Sequence, residues 1–229
     1  MTKKCILILS MHRSGSSCCS GSMQFLGPDA VSYGKHHLLE KNQWNEKGFF
    51  ENELIWKFNK HTLELVGASW KDIKMTWTPK QRLTIMARLP QLVQIFKDDF
   101  INNPQPFFVI KDPRIVWLWD LYLAAFSQLG IELFVVHIER DETEVARSLW
   151  DPHKIPYDKA LKLTRDHRTK IAENLKGVPV LRQVHITYNG LLTSPVATLQ
   201  SVAKTLGTNT DSIKTQALTQ FVDKSLKHF

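Results

Sequence analysis

Cysteine is scarce in this chain, and its scarcity excludes several kinds of protein. Of 229 residues only three are cysteine, and Cys18 and Cys19 are adjacent. With no CxxC pair, such a set builds neither the disulfide framework of a small secreted domain nor a cysteine-based zinc site. The nine histidines also lack the spacing of a known metal motif. We therefore expect a reducing compartment, the cytoplasm, and no metal requirement.

Long apolar runs and long basic runs are absent too. No stretch approaches the roughly 18 apolar residues of a membrane span, and the apolar run after Lys4 stops before Ser10. Lys and Arg number 30 against 22 for Asp and Glu, and the formal charge of +8 favours an anionic partner. Because the basic residues are scattered, we expect no nucleic-acid binding. Because no apolar run is long enough, we expect no stable membrane insertion. Nothing in the sequence indicates the oligomeric state.

Short apolar runs alternate with segments of helical spacing. Some of these runs are almost wholly apolar, as strands buried on both faces of a sheet are. They cover Cys5–Leu9, Phe107–Ile110, Leu133–Ile138 and Val180–Ile186. Because strands and helices alternate, right-handed crossovers and a parallel sheet are expected. We predict one α/β domain over residues 1–229, a three-layer sandwich around a mostly parallel sheet of about four to five strands.

Helix boundaries follow from caps and prolines. One helix is predicted from Thr78 to about Phe100, with a kink at Pro90. Another opens at Asp141 and is predicted to break before Pro152, because the residue before a proline disfavours the helical conformation. A last helix is predicted over about Asp211–Leu226.

The first strand leads into a turn of small residues with one fixed cation. Met11 to Ser17 read M-H-R-S-G-S-S, and a helix follows. Serine and glycine let the backbone turn tightly and direct N–H groups and hydroxyls to one point, where the helix dipole adds its positive end. Arg13 contributes a permanent charge. The turn therefore predicts an anion-binding site, with an ordinary serine-capped turn as the alternative.

The other predicted strands also end in residues suited to ligand binding. Lys111 and Arg114 follow the second strand, Arg140 follows the third, and Tyr188 follows the fourth. Because the carboxyl ends of parallel strands share one edge of the sheet, where ligands bind in open α/β folds, we expect these side chains near the first turn.

Together these motifs resemble the sulfotransferases that use 3′-phosphoadenosine 5′-phosphosulfate (PAPS), in their bacterial and carbohydrate-type branch. The segment His12–Ser17 is similar to the family's 5′-phosphosulfate loop. Arg140 and Ser148, eight residues apart, have the spacing of the family's strand-end arginine and helix serine. Further segments similar to this branch are Lys111–Arg114, Gly48–Asn52 and Tyr188–Leu192.

The resemblance implies the P-loop NTPase-like sulfotransferase fold and transfer of a sulfuryl group from PAPS to a hydroxyl or amine acceptor, a carbohydrate or a small metabolite. The product would be 3′-phosphoadenosine 5′-phosphate (PAP). The residues implied for the 5′-phosphosulfate are Arg13, Ser14, Gly15, Ser16 and Ser17. Those implied for the 3′-phosphate are Arg140 and Ser148, with Tyr188 near the adenine. For catalysis, Arg13 would stabilise the leaving group, and Lys111 with Arg114 the transferring sulfuryl group.

The resemblance leaves the base unassigned, because Pro113 stands where the cytosolic branch has its histidine. Glu51 is the first candidate, since a buried carboxylate can have its pKa raised into range, although it also reads as a plain helix-start carboxylate. Glu40, His36 and His37 are the alternatives.

Two other functions stay open: a P-loop kinase or nucleotide hydrolase, whose GxxxxGK[ST] pattern is missing, and a non-catalytic module that binds nucleotide or anionic glycan.

Overall fold

Five parallel strands form one sheet at the centre of the molecule. The structure, a computed structural model, describes residues 2–28, 30–41, 47–72 and 75–222, and of residues 151 and 152 the backbone alone. In the spatial order β2-β3-β1-β4-β5, the strands are β1 (Lys4–Leu9), β2 (Val31–Ser32), β3 (Phe107–Lys111), β4 (Glu132–Glu139) and β5 (Gln183–Thr187). The predicted α/β class and parallel sheet are confirmed. The edge strand β2 lies where the sequence predicted a loop, because two residues are too few to show a periodicity.

Helices cover both faces of this sheet. They are α1 (Ser16–Ser22), α2 (Glu53–Leu65), α3 (Pro79–Met86), α4 (Leu89–Phe96), α5 (Trp119–Leu129), α6 (Glu142–His153), α7 (Tyr157–Leu175), α8 (Tyr188–Thr193), α9 (Pro195–Leu206) and α10 (Thr215–Phe221). Among the described helices, none combines the length and the apolarity that crossing a membrane requires.

The strands are apolar throughout because alternate residues enter two different cores. Leu7 and Leu9 of β1 pack with residues of α2, α4 and α5 on one face. Ile6 and Ile8 pack with residues of α1, α8 and α9 on the other. Burial on both faces removes the polar positions that a strand with one solvated face would show. The predicted three-layer arrangement follows from this alternation.

The helix predicted from Thr78 to Phe100 is divided rather than kinked. Thr78 caps its start, and its hydroxyl accepts the Gln81 N–H at 3.3 Å. The chain then forms α3 and α4 as separate helices, followed by a π-helical turn at Lys97–Ile101. Pro90 lies in the first turn of α4, where its missing N–H would have had no partner in the helix.

Three other predicted boundaries also differ. Helix α6 runs through Pro152 to His153, because the loss of one N–H near the last turn is tolerated and Lys154 closes the helix by donating to the Trp150 carbonyl at 2.7 Å. Strand β5 begins at Gln183 and not at Val180, since a 3₁₀ turn over Val180–Arg182 precedes it. The last helix begins at Thr215, and the part of its predicted range beyond residue 222 lies outside the described residues.

Candidate active site

The predicted anion-binding turn lies between β1 and α1 and has an unusual backbone. Arg13 and Gly15 have positive φ angles of 66° and 85°. A Cβ atom at Gly15 would lie 2.1 Å from Cδ2 of Tyr188, so both the backbone and the neighbouring ring require glycine. Ser14 and Ser16 are buried within the turn. Non-glycine residues in the left-handed region are found preferentially at ligand-binding sites.

Lys111 connects this turn to Glu51. It is the last residue of β3 and pairs in register with Ile8 of the neighbouring strand β1. Its Nζ atom donates to Ser17 Oγ at 3.3 Å and to Glu51 Oε1 at 2.5 Å. Only 3% of Lys111 and 6% of Glu51 is exposed. Burial raises the pKa of Glu51, and the Lys111 ammonium opposes that rise. The first predicted base is therefore part of a buried ion pair next to the turn.

Arg114 is held in place by Asp112. The Arg114 Nη1 atom and its backbone N–H both donate to Asp112 Oδ1, at 2.8 and 2.9 Å. The other carboxylate oxygen accepts from the Asn59 side chain at 3.0 Å. The guanidinium carbon also lies 5.8 Å from the centre of the Trp56 ring. Because each charge in this buried pair has a partner, Arg114 keeps one orientation.

Arg140 and Ser148, the residues implied for the 3′-phosphate, contact the turn directly. The Arg13 Nε atom donates to Ser148 Oγ at 2.9 Å, and Arg140 Nη1 donates to the Arg13 carbonyl at 3.3 Å. Arg140 Nε donates to Glu144 Oε2 at 2.7 Å. Burial, followed by the charge of Arg140, lowers the pKa of the Arg13 guanidinium. Because the charge of Arg140 disfavours the charge on Arg13, an anion bound between these two residues would stabilise both.

Tyr188 packs between the turn and Arg140. The Arg140 guanidinium lies 5.1 Å from the centre of the Tyr188 ring. The two residues line a cavity of about 250 Å³, together with Glu144 and Arg168. The Arg168 Nη2 atom donates to the Arg140 carbonyl at 2.6 Å. The residue implied for adenine thus borders an opening next to the residue implied for the 3′-phosphate.

The alternative base candidates lie apart from these contacts. His36 is turned towards Asp99, with 2.8 Å between His36 Nδ1 and Asp99 Oδ1. His37 and Glu40 are exposed. The structure brings Glu51 to Lys111 and records no such contact for these three among the described residues. The role of Glu51 as base stays a prediction.

His12 lies in the predicted anion-binding turn, but the sequence analysis gave it no role of its own. Its ring lies 4.0 Å from that of Trp70, and Trp70 in turn contacts His153 edge-on at 4.8 Å. The residue is partly exposed, but its Nε2 atom is enclosed and has no hydrogen-bond partner among the described residues. No spacing in the sequence could have joined His12 to partners so distant along the chain.

Three potential metal ligands also come together on neighbouring strands. His137 and His185 pair across β4 and β5, and with Glu139 their ligand atoms lie within 4.8 Å of one another. Glu139 is already engaged, since its carboxylate lies 3.1 Å from His185 Nε2 and 4.0 Å from Arg168 Nε. These contacts satisfy the carboxylate, so the cluster by itself supports no metal assignment. The sequence prediction of no metal requirement stays a prediction.

Known structures share this architecture. The sulfotransferase domain of the Synechococcus PCC 7002 olefin synthase matches 99% of this chain and 86% of its own, with 18% identity and a TM-score of 0.59. The chain has the sulfotransferase fold. The sulfotransferase domain of the curacin biosynthetic pathway has the same fold, matching 91% of this chain and 75% of its own with 16% identity and a TM-score of 0.56.

A third structure with the sulfotransferase fold is mouse SULT7A1 complexed with PAP. It matches 99% of this chain and 67% of its own, with 11% identity and a TM-score of 0.51. No protein-family model matches the sequence, and neither does any curated protein. The fold that the motifs predicted is confirmed. At sequence identities of 11%, 16% and 18%, the similarity to these structures establishes the fold alone.

Proposed function

We propose that this chain transfers a sulfuryl group from PAPS to a hydroxyl or amine acceptor, a carbohydrate or a small metabolite. One observation carries the proposal. Arg13 of the turn donates to Ser148, and Arg140 donates to the Arg13 carbonyl, so the groups suited to both phosphate ends of PAPS belong to one site. The PAP bound to mouse SULT7A1, which shares this fold, supports a donor of the same class.

In this proposal each part of the site has one role in binding. The 5′-phosphosulfate is held by Arg13, Ser14, Gly15, Ser16 and Ser17. The 3′-phosphate is held by Arg140 and Ser148, and Tyr188 lies beside the adenine, a placement that the cavity next to Arg140 supports. The site also contains the buried ion pair of Lys111 and Glu51.

Transfer needs stabilisation of charge at two places. As the acceptor attacks sulfur, negative charge grows on the oxygen that bridges sulfur and the PAP phosphate, and Arg13 stabilises it. Lys111 stabilises the oxygens of the moving sulfuryl group, a role that its contact with Ser17 supports. Arg114 supports the same role from its fixed position beside Asp112. Glu51 is the predicted base, and its proton affinity depends on Lys111.

Calorimetric titration with PAP and with AMP tests the donor. We expect PAP to bind about 10-fold to 100-fold more tightly, because its 3′-phosphate adds charge-assisted hydrogen bonds to Arg140 and Ser148. Arg140→Ala should remove most of this preference and leave the affinity for AMP nearly unchanged. Arg165→Ala, at an exposed arginine of α7, is the control and should change neither affinity.

Equal affinities for PAP and AMP would contradict the proposal. Turnover of Mg-ATP without a preference for PAP would instead indicate a P-loop kinase or hydrolase. Tight PAP binding with no transfer of labelled sulfate to any hydroxyl or amine acceptor, or to water, would indicate a non-catalytic binding module.

A further inference from the structure

His12 directly precedes Arg13 in the predicted anion-binding turn, although the sequence analysis gave it no role of its own. Burial lowers the pKa of its imidazole well below the ordinary value of 6.5, and the positive charges of Arg114 and Lys111 add to this effect. Lys111 and Arg114 are the two residues proposed to contact the sulfuryl group. Because the turn that contains His12 is proposed to hold the phosphosulfate, the acceptor must approach the sulfur next to this residue.

One nitrogen of the His12 ring is a buried polar atom whose hydrogen-bonding capacity the described residues do not use. Trp70 covers one face of the ring at 4.0 Å, and the planes are inclined by 34°. The Nε2 atom is enclosed yet has no hydrogen-bond partner in the part of the chain that the structure describes. Enclosed polar atoms are nearly always paired, and an exception indicates a missing water or ligand. A hydroxyl group that donates a hydrogen bond would satisfy this atom.

We propose that His12 Nε2 accepts the proton of an acceptor hydroxyl during sulfuryl transfer, an inference that rests on the proposed function. The hydroxyl oxygen forms a bond to sulfur while the bond between sulfur and the PAP phosphate oxygen breaks. The electron pair of that bond leaves with PAP, and the hydroxyl proton moves to Nε2. The bound PAP carries negative charge next to Arg13 and Lys111, and this charge offsets the cations that disfavour a protonated His12.

Two observations favour His12 over Glu51 in this role. The Glu51 carboxylate is held by Lys111 at 2.5 Å, so proton transfer to it would break an ion pair. The His12 nitrogen has no such bond to lose. The cations proposed to hold the phosphosulfate, Arg13 and Lys111, also select the acceptor class, because they repel a protonated amine but not a neutral hydroxyl. Glu51 then positions Lys111.

The experiment measures transfer from ³⁵S-labelled PAPS to a panel of methyl glycosides, aliphatic alcohols, phenols and primary amines. If none of these accepts, hydrolysis of PAPS by water provides the same measurement. His12→Gln should lower kcat about 100-fold or more, within the range of general base catalysis, and keep the affinity for PAP within about threefold. The wild-type rate should decline on the acid side, and that decline should be absent from His12→Gln. Imidazole in the buffer should restore part of the rate to His12→Ala.

Controls separate this inference from the proposed function. His61→Gln, at an exposed histidine of α2, should retain the wild-type pH profile. Failure of the wild-type chain to bind PAP would refute the proposed function. With PAP binding intact, a kcat of His12→Gln within threefold of wild type would overturn the inference. So would a lower kcat with an unchanged acid decline and no imidazole rescue, since this indicates a structural role. Amines that outcompete hydroxyls at neutral pH would overturn the assigned acceptor class.

Discussion

At the residue scale, the pair of Lys111 and Glu51 shows how one contact joins stability to function. Each charge is nearly inaccessible to water, so each depends on the other for its stability in the folded chain. The pair also places an ammonium group against Ser17 of the turn. Lys111, which is proposed to stabilise charge during transfer, is thus held in place by Glu51, which the sequence alone predicts to be the base.

Removing one member of this pair should be more harmful than removing both. Lys111→Met leaves a buried carboxylate without its partner, and we expect the free energy of unfolding to fall by about 3–5 kcal/mol. The double variant Lys111→Met, Glu51→Gln should recover a large part of this loss. Urea unfolding at pH 7 provides the measurement.

A matched control is the exposed pair of Lys57 and Glu53, whose charged atoms are 2.8 Å apart. Lys57→Met should leave the urea midpoint nearly unchanged, because water replaces the lost partner. Additive losses in the double variant at positions 111 and 51 would show that the two charges do not stabilise each other.

At the element scale, the turn between β1 and α1 depends on a ring from another element. Tyr188 is the first residue of α8, and it occupies the space that a side chain at Gly15 would need. The shape of the turn is therefore decided partly by local backbone freedom and partly by how α8 packs.

Gly15→Ala should displace Tyr188 or distort the turn. The added Cβ would meet the ring at 2.1 Å, and φ of +85° is unfavourable for alanine. We expect at least a 10-fold weaker affinity for PAP in calorimetry and a lower melting temperature, because the strain exceeds the cost of about 1–2 kcal/mol for the left-handed backbone alone.

Gly130→Ala separates the effect of the Tyr188 clash from the effect of the left-handed backbone. Gly130 has a similar φ of +63°, but nothing lies within 4 Å of its added Cβ. It should lower the melting temperature less than Gly15→Ala and leave PAP binding unchanged. Equal effects from the two variants would mean that the Tyr188 contact is unimportant.

At the scale of the whole molecule, His167 of helix α7 is hydrogen-bonded to Trp117, which belongs to the same short segment as Arg114. The buried ring of His167 accepts from Trp117 Nε1 at 3.0 Å through Nε2, and its Nδ1 atom lies 3.0 Å from the Leu163 carbonyl. The carbonyl requires the proton on Nδ1, so the ring is neutral. A second proton on Nε2 would face the Trp117 N–H and break the contact.

Acid should therefore weaken the whole fold through His167. Burial lowers the pKa of its imidazole from 6.5 to about 4, so the unfolded chain takes up a proton at a higher pH than the folded chain does. The stability that this histidine contributes is complete above pH 6.5 and is lost as the pH falls towards 4. The loss amounts to about 3 kcal/mol.

Urea unfolding measured across that range should show a shallower dependence on pH for His167→Gln than for the wild-type chain. His61→Gln, which changes an exposed histidine, is the control. An identical slope for His167→Gln and wild type would show that His167 does not titrate between the folded and unfolded states.

Much of the fold could be predicted because its causes are local. Strands buried on both faces are apolar at every position, and residues such as Thr78 and Gly130 mark helix ends through their own backbone and side-chain chemistry. The helix boundary at Pro152 was predicted wrongly. The residue before a proline disfavours the helical conformation, but the helix still continues and ends with the hydrogen bond from Lys154 to the Trp150 carbonyl.

By itself the sequence determined that strand-end cations would meet at one edge of a parallel sheet, since strand direction and order of residues suffice for that inference. Only the tertiary structure decided which of them touch. The contacts between Arg13 and Ser148, between Lys111 and Glu51, and between His12 and Trp70 join residues far apart in the chain. Such contacts depend on how helices pack against the sheet, a property of the folded chain that no local pattern encodes.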